Sequence, residues 1–197
     1  MSPLTLARQL LAILHRDADR LQRIDDYLHG EHDDPYMPAM ADDEYRLLAR
    51  RCVSNWMPLL VATPAQALYV DSFRRGTAAA DPDGPPTTSP EWDHWQRSRL
   101  DARQAAVHRG ALIFGHAFTI TERTRQGGIR TKGLSAMRTA ALYEDPANDD
   151  TPYAALTVTR RAADGVLGRA RMWDGRCEYV VTFKSLGDAK GVTVSAG

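Results

Sequence analysis

Trp95-Gln96, Leu100-Asp101 and the run Gly110-Ala111-Leu112-Ile113-Phe114-Gly115-His116-Ala117-Phe118 decide the fold class of this chain. Leu100, Val107, Ala111 and Phe114 recur at helical spacing, whereas Phe118 and Ile120 alternate with Thr119 and Thr121. The apolar period thus shortens from about 3.6 residues to about 2, the helix and strand repeats. Gly115 stands at the change. A glycine there turns the backbone without a Cβ penalty. The stretch reads as a helix delivered into a strand.

Working back toward the N-terminus, Ser2-Pro3 supplies a hydroxyl N-cap followed by proline at the first helical position. Leu10, Leu14, Leu21, Ile24 and Leu28 then form one stripe, with Arg8, Arg16, Asp19, Arg23 and Asp26 off it. An amphipathic helix of about seven turns follows from 3.6 residues per turn. Gly30 ends it, and Asp33-Asp34-Pro35 with Pro38 keeps the chain irregular. Asp42 or Asp43 can cap a second helix whose apolar side includes Tyr45, Leu48, Cys52 and Trp56. Pro58 and Pro64 predict a kinked or broken far end, and Ala67 to Phe73 a short strand or extended exit. Residues 76–89, centred on Asp81-Pro82-Asp83-Gly84-Pro85-Pro86, read as a mobile surface loop. Ser89-Pro90-Glu91 repeats the cap-plus-proline signal and opens the helical stretch leading to Phe114.

Working forward, Arg125-Gln126-Gly127-Gly128 separates the first strand from the next. Tyr153 to Arg160 alternates Leu156 and Val158 with Thr157 and Thr159. Asp174-Gly175 signals a two-residue hairpin, and Val192-Thr193-Val194 enters a further strand. The predicted class is α+β: amphipathic N-terminal helices, then an antiparallel β-rich part. The corresponding divisions are a helical region 1–75, the loop 76–89, and a helix-plus-β region 90–197.

Composition narrows the function classes. With 43% hydrophobic and 25% charged residues, the chain is globular rather than disordered or collagen-like. Lys plus Arg balance Asp plus Glu at 25 each, which argues against a tight duplex-DNA binder acting alone. Arg8, Arg16 and Arg20 interrupt the N-terminal leucines, so no signal-peptide core forms, and no apolar run is long enough to span a bilayer. Cys52 and Cys177, far apart in sequence, read as reduced thiols serving as small core residues.

Catalytic constellations are missing at the motif level. His29 and His32 with Glu31, Asp33 and Asp34 could in principle hold zinc, but the pair straddles a helix-ending glycine and its geometry is undefined. A solvated helix terminus is the plainer reading. Arg50 and Arg51 flank Cys52, yet that residue lies on an apolar stripe. No Gly-x-Ser-x-Gly elbow, phosphate loop or dinucleotide turn occurs. No catalytic residue, cofactor or metal is therefore expected. The arginines Arg97, Arg99, Arg103 and Arg109 read as a solvated face, and Trp92 and Trp95 as core anchors.

An ordered set of short elements closely resembles the N-terminal region of tailed-phage portal proteins of the actinobacteriophage (siphophage) type. Such proteins begin with a long helix ending in a Tyr-x-x-Gly-x-His/Gln element, matched by Tyr27, Gly30 and His32. A proline-containing loop follows, matched by Pro35 and Pro38, then an Asn-Trp element, matched by Asn55 and Trp56. Trp95-Gln96, Leu100-Asp101, Gly115 and Phe118 match the final Trp-Gln, Leu-Asp and Gly-x-Ala-Phe run. Val70-Asp71-Ser72-Phe73 departs from the family pattern by lacking a glycine.

The resemblance implies a structural protein, not an enzyme: a wing region of a ring, a dodecamer when full length, at one capsid vertex of the virion. Double-stranded DNA would pass through it non-specifically during packaging and ejection. Terminase, capsid and scaffolding proteins, and head-completion adaptors would be its partners, with assembly in the host cytoplasm and no membrane. Family members also carry a stem, a clip and a crown, so the resemblance implies a chain cut before those parts. Tyr27, Trp56, Trp95 and Phe114 are expected to anchor the local core. The rival readings are a stand-alone protein-interaction module using the Leu10–Leu28 stripe, a prophage remnant, and a small metal-dependent hydrolase or nuclease using His29 to Asp34.

Overall fold

The computed structural model describes residues 1–33, 36–38, 40, 42–52, 54–73, 89–124 and 126–197. The expected loop 76–89, except Ser89, therefore lies outside the described residues, as do Asp34 and Pro35. The described elements are α1 (Pro3–His29), α2 (Asp43–Arg51), α3 (Met57–Ala67), α4 (Pro90–Arg97) and α5 (Leu100–Phe114). They are followed by β1 (Phe118–Arg123), β2 (Ile129–Leu134), β3 (Thr139–Leu142), β4 (Ala154–Arg160), β5 (Gly168–Asp174), β6 (Glu178–Phe183) and β7 (Thr193–Ala196). Helices precede two antiparallel sheets, so the class is α+β. One sheet is the β1–β2 hairpin, and the other runs in order β3-β4-β5-β6-β7.

The long first helix forms for local reasons and is held for tertiary ones. The Ser2 hydroxyl accepts from the Thr5 amide at 3.2 Å, and Gly30 closes the helix in the left-handed region at φ 87°. Its first half lays Leu6, Ala7, Leu10, Leu11 and Leu14 on one face of the five-stranded sheet. That face is built by strict alternation: Ala154, Leu156 and Val158 on β4, Ala170 and Met172 on β5, Val181 and Phe183 on β6. Leu156 pairs with Met172 and Ala170 with Val181, so apolar side chains meet across strands. Gly168 pairs with Phe183, whose ring occupies the space a Cβ on Gly168 would need. The helix of the N-terminal segment and the sheet of the C-terminal segment thus share one apolar core.

Several local expectations change. The helical stretch opening at Ser89 is two helices, because Ser98 is buried and Arg99 adopts a left-handed φ of 55°. The physical cause is visible: the Ser98 hydroxyl accepts from the Thr131 amide of β2 at 3.0 Å, anchoring the chain where the helix breaks. The second predicted helix likewise stops at Arg51, and Trp56 precedes a separate helix, α3, with Pro58 in its first turn, where a missing N–H costs nothing. Because the helical phase is not continued across that break, Tyr45, Leu48, Cys52 and Trp56 do not form a buried side. All four are exposed, Trp56 at 67%. Cys177 is also exposed, so neither cysteine is a core residue. The tight turn after β5 is centred one residue later than Asp174-Gly175: Asp174 pairs with Cys177, and its carboxylate accepts from the Arg176 and Cys177 amides at 2.9 and 2.8 Å. Strand β3 has no counterpart in the sequence reading.

Candidate functional site

Two polar clasps bring the motif residues together. At the end of α1, Asn55 donates from Nδ2 to the Leu28 carbonyl at 3.0 Å, while its Oδ1 accepts from the Met57 amide at 3.1 Å. One side chain thereby ties the end of α1 to the start of α3. The left-handed backbone at Gly30 is what brings the chain past Asn55: a Cβ on Gly30 would lie 3.4 Å from Asn55 Nδ2. Beside it, Tyr27 meets His32 edge-on, with ring centroids 4.8 Å apart, and donates to Asp33 at 2.9 Å. Arg23 reaches the same carboxylate at 2.6 Å. Tyr27, Gly30, His32 and Asn55 therefore form one constellation, and Trp56 next to them points out to solvent.

The second clasp surrounds α4 and α5. Phe73 places its ring edge-on to Trp92 and Trp95, at centroid distances of 5.8 and 5.4 Å. Gln104, fully buried, accepts from the Val70 amide at 2.7 Å and donates to the Val70 carbonyl at 3.2 Å, so an extended segment is held as if by another strand. His108 bonds to the Leu68 carbonyl at 2.6 Å. From the other side, Thr131 of β2 contacts His94 at 2.8 Å and Thr121 at 2.7 Å. Between these groups lies a cavity of about 1050 Å³ walled by Phe73, His94, Trp95, Leu100 and Ile129. The Trp95 indole N–H and the Arg130 Nε are buried without a hydrogen-bond partner among the described residues. Leu100 is buried, Trp95 and Phe118 are half-buried, and Gln96 is exposed. Asp101 lends its carbonyl to Gln104. Gly115 turns the chain from α5 toward β1 at φ 81°.

Sequence reasoning missed Ser98, Gln104 and Thr131. Their signal was present in one case: Gln104 falls four residues after Leu100, on the face that periodicity assigns to the core, and a polar residue there demands partners.

A charged cluster joins the hairpin to the outer face of the sheet. Arg171 forks onto Glu178 at 2.5 and 3.0 Å and reaches Glu122 of β1 at 3.1 Å, while Lys132 of β2 pairs with Glu122. The guanidinium also lies over the Trp173 ring, 5.0 Å from its centroid. The Lys132 hydrogen bond, reinforced by Arg171, holds the Glu122 carboxyl below the usual carboxylate range. Arg171 does the same for Glu178.

These arrangements hold backbone together. Among the described residues no group of three or more His, Cys, Asp or Glu could hold a metal ion. His29 is spent on the Asp25 carbonyl and Asp33 on Arg23 and Tyr27. No helix of the described residues is long and apolar enough to cross a membrane. The Leu10–Leu28 stripe, the feature that an interaction module would expose, is buried at Leu10, Leu14, Leu21 and Leu28.

Residues 7–194 match the family model described as phage portal protein, SPP1 Gp6-like. The chain belongs to the phage portal protein family. The match spans nearly the whole chain, both clasps and both sheets included, and carries a structural role at the phage portal. No curated protein matches this portal-family chain.

Proposed function

We propose that this chain forms the wing region of a portal ring, a dodecamer when full length, through which double-stranded DNA is packaged and ejected. The family match over residues 7–194 is the observation that carries this reading. The ring sits at one capsid vertex of the virion after assembly in the host cytoplasm. Terminase, capsid and scaffolding proteins and a head-completion adaptor are its partners. The motif residues Tyr27, Gly30, His32, Asn55, Trp56, Trp95, Gln96, Leu100, Asp101, Gly115 and Phe118 serve architecture, and the protein performs no catalysis of its own. A balanced charge of 25 cations and 25 anions suits a wall past which DNA slides rather than one that grips it.

Negative-stain electron microscopy of the purified protein, with sedimentation over a concentration series, tests this reading. Closed rings with a central channel are expected. Isolated monomers at every concentration would overturn it.

A further inference from the structure

A pocket of about 370 Å³ opens between the middle of α1 and one end of the five-stranded sheet. Its floor is apolar: Leu14 and Leu21 come from α1, Val158 from β4 and Phe183 from β6, all buried. Met137 and Leu186, both half-buried, form the sides. The volume falls in the range of ligand pockets, roughly 300–1,000 Å³.

The rim is cationic. Arg138, Arg161 and Lys184 line the pocket, are exposed, and have no ionic partner among the described residues. Asp19 is the one acidic side chain among the described residues lining it, and it forms no ion pair with them. The other carboxylates nearby do not neutralise the rim. Asp17 is paired with Arg16, and Asp188 accepts from the Lys190 and Gly191 amides at 3.0 and 3.3 Å. Arg138 also borders the hollow holding Glu122, but that carboxylate is taken by Lys132 and Arg171. Asp164, in the β4–β5 turn, makes no ion pair, while Arg160, Arg169 and Lys190 add positive charge at the same strand ends. A chain whose charges balance overall therefore gathers an excess of cations here. Folding alone does not account for it, since like charges without counter-ions repel and work against the compact state.

The spread of the cations selects the ligand. Arg138 precedes β3, Arg161 follows β4 and Lys184 follows β6. In the order β3-β4-β5-β6 the first and last lie three strand spacings apart, about 14 Å across the sheet. About four residues of extended peptide cover that distance, whereas a lone carboxylate headgroup matches only one point of it. We infer that this pocket docks an acidic peptide segment of another protein. An apolar side chain of the peptide seats against Leu14, Leu21 and Phe183, and flanking carboxylates pair with Arg138, Arg161 and Lys184. The inference goes beyond the ring reading and does not rest on it, because a single copy carries the whole pocket.

The test uses the full chain and a panel of fluorescein-labelled octapeptides that vary carboxylate and apolar content independently. Fluorescence anisotropy should show the tightest binding where acidic residues flank a leucine or phenylalanine. Removing either the carboxylates or the apolar residue should weaken it at least tenfold, and raised salt should weaken it further. Arg161→Glu with Lys184→Glu should also weaken it at least tenfold. Both positions are exposed and unpaired, so folding is preserved, and circular dichroism checks this. Arg103→Glu with Arg109→Glu, the same change of net charge placed on α5, should leave binding unchanged. Ala18→Phe, which fills the pocket from α1, should lower binding to the level of the purely acidic peptide. Equal binding of the purely acidic peptide, or of a short DNA duplex, would overturn the inference in favour of a general polyanion surface. Decanoate displacing the peptide at matching concentration would overturn it in favour of a small amphiphile. No peptide bound at about 1 mM, or binding that the α5 variant weakens as much as the rim variant, would overturn the docking site while leaving the ring reading intact.

Discussion

The two ends of α1 sit in differently built regions. Its first half closes an apolar core over the five-stranded sheet, where Leu10, Leu11, Leu156, Met172, Val181 and Phe183 are almost wholly removed from water. Its last turn joins a region in which Asn55, Gln104, Ser98 and Thr131 fix the backbone through hydrogen bonds and aromatic edges leave a large cavity open. Burial stabilises by area and tolerates no gap. Polar clasps stabilise by geometry and leave room. The first region resists a change of side-chain volume, the second a change of hydrogen-bonding partner.

That contrast can be broken by substitution, and the largest effect is expected in the sheet core. Phe183→Ala should cost about 3–5 kcal/mol, read by denaturant unfolding, because its ring covers Gly168 and no neighbour can fill the hole. Trp95→Ala, at the cavity edge, should cost about 1–3 kcal/mol, since the side chain is only half-buried. Equal costs would erase the distinction between the regions. Gln104→Leu should cost about 1–3 kcal/mol by leaving the Val70 amide and carbonyl unpaired. Hydrogen exchange should then rise at Val70 while β4 and β5 stay protected.

Gly30→Ala should cost about 1–2 kcal/mol through its left-handed backbone alone, measured as a lowered melting temperature. The smallest effect belongs to the ion cluster. Glu122 and Glu178 have lowered folded-state pKa values, so their contribution is present above the ordinary carboxylate range and fades as pH falls through the lowered values. Partly exposed pairs of this sort are worth less than about 1 kcal/mol. Glu122→Gln should therefore flatten the acid limb of stability against pH and leave neutral stability nearly unchanged. An unaltered acid limb would show that the hairpin does not depend on Glu122.

Periodicity and capping made much of the architecture readable. Ser2-Pro3, Gly30, Ser89-Pro90 and Gly115 mark helix ends through local bonds and left-handed turns, which depend on neighbours within a few residues. Alternation located β1 and β4 for the same reason. The reading failed where a phase was carried through a break: Tyr45 to Trp56 were assigned one buried side, but two separate helices replaced it. The cysteines misled likewise, since small apolar character says nothing of which neighbours are present. The ordered set of motif elements pointed to the portal family, and the match over residues 7–194 places the chain there.

By itself, then, the sequence determined the class, the two ends of α1, the start of α4, the end of α5 and the family, because each is written in spacing along the chain. Only the tertiary structure decided that α1 belongs to the sheet, that Gln104 substitutes for a strand, and that Leu59 and Leu60 of α3 are exposed among the described residues. These are contacts between residues tens of positions apart. Burial and partner choice depend on which surfaces meet after the chain has folded, and no local period records that meeting.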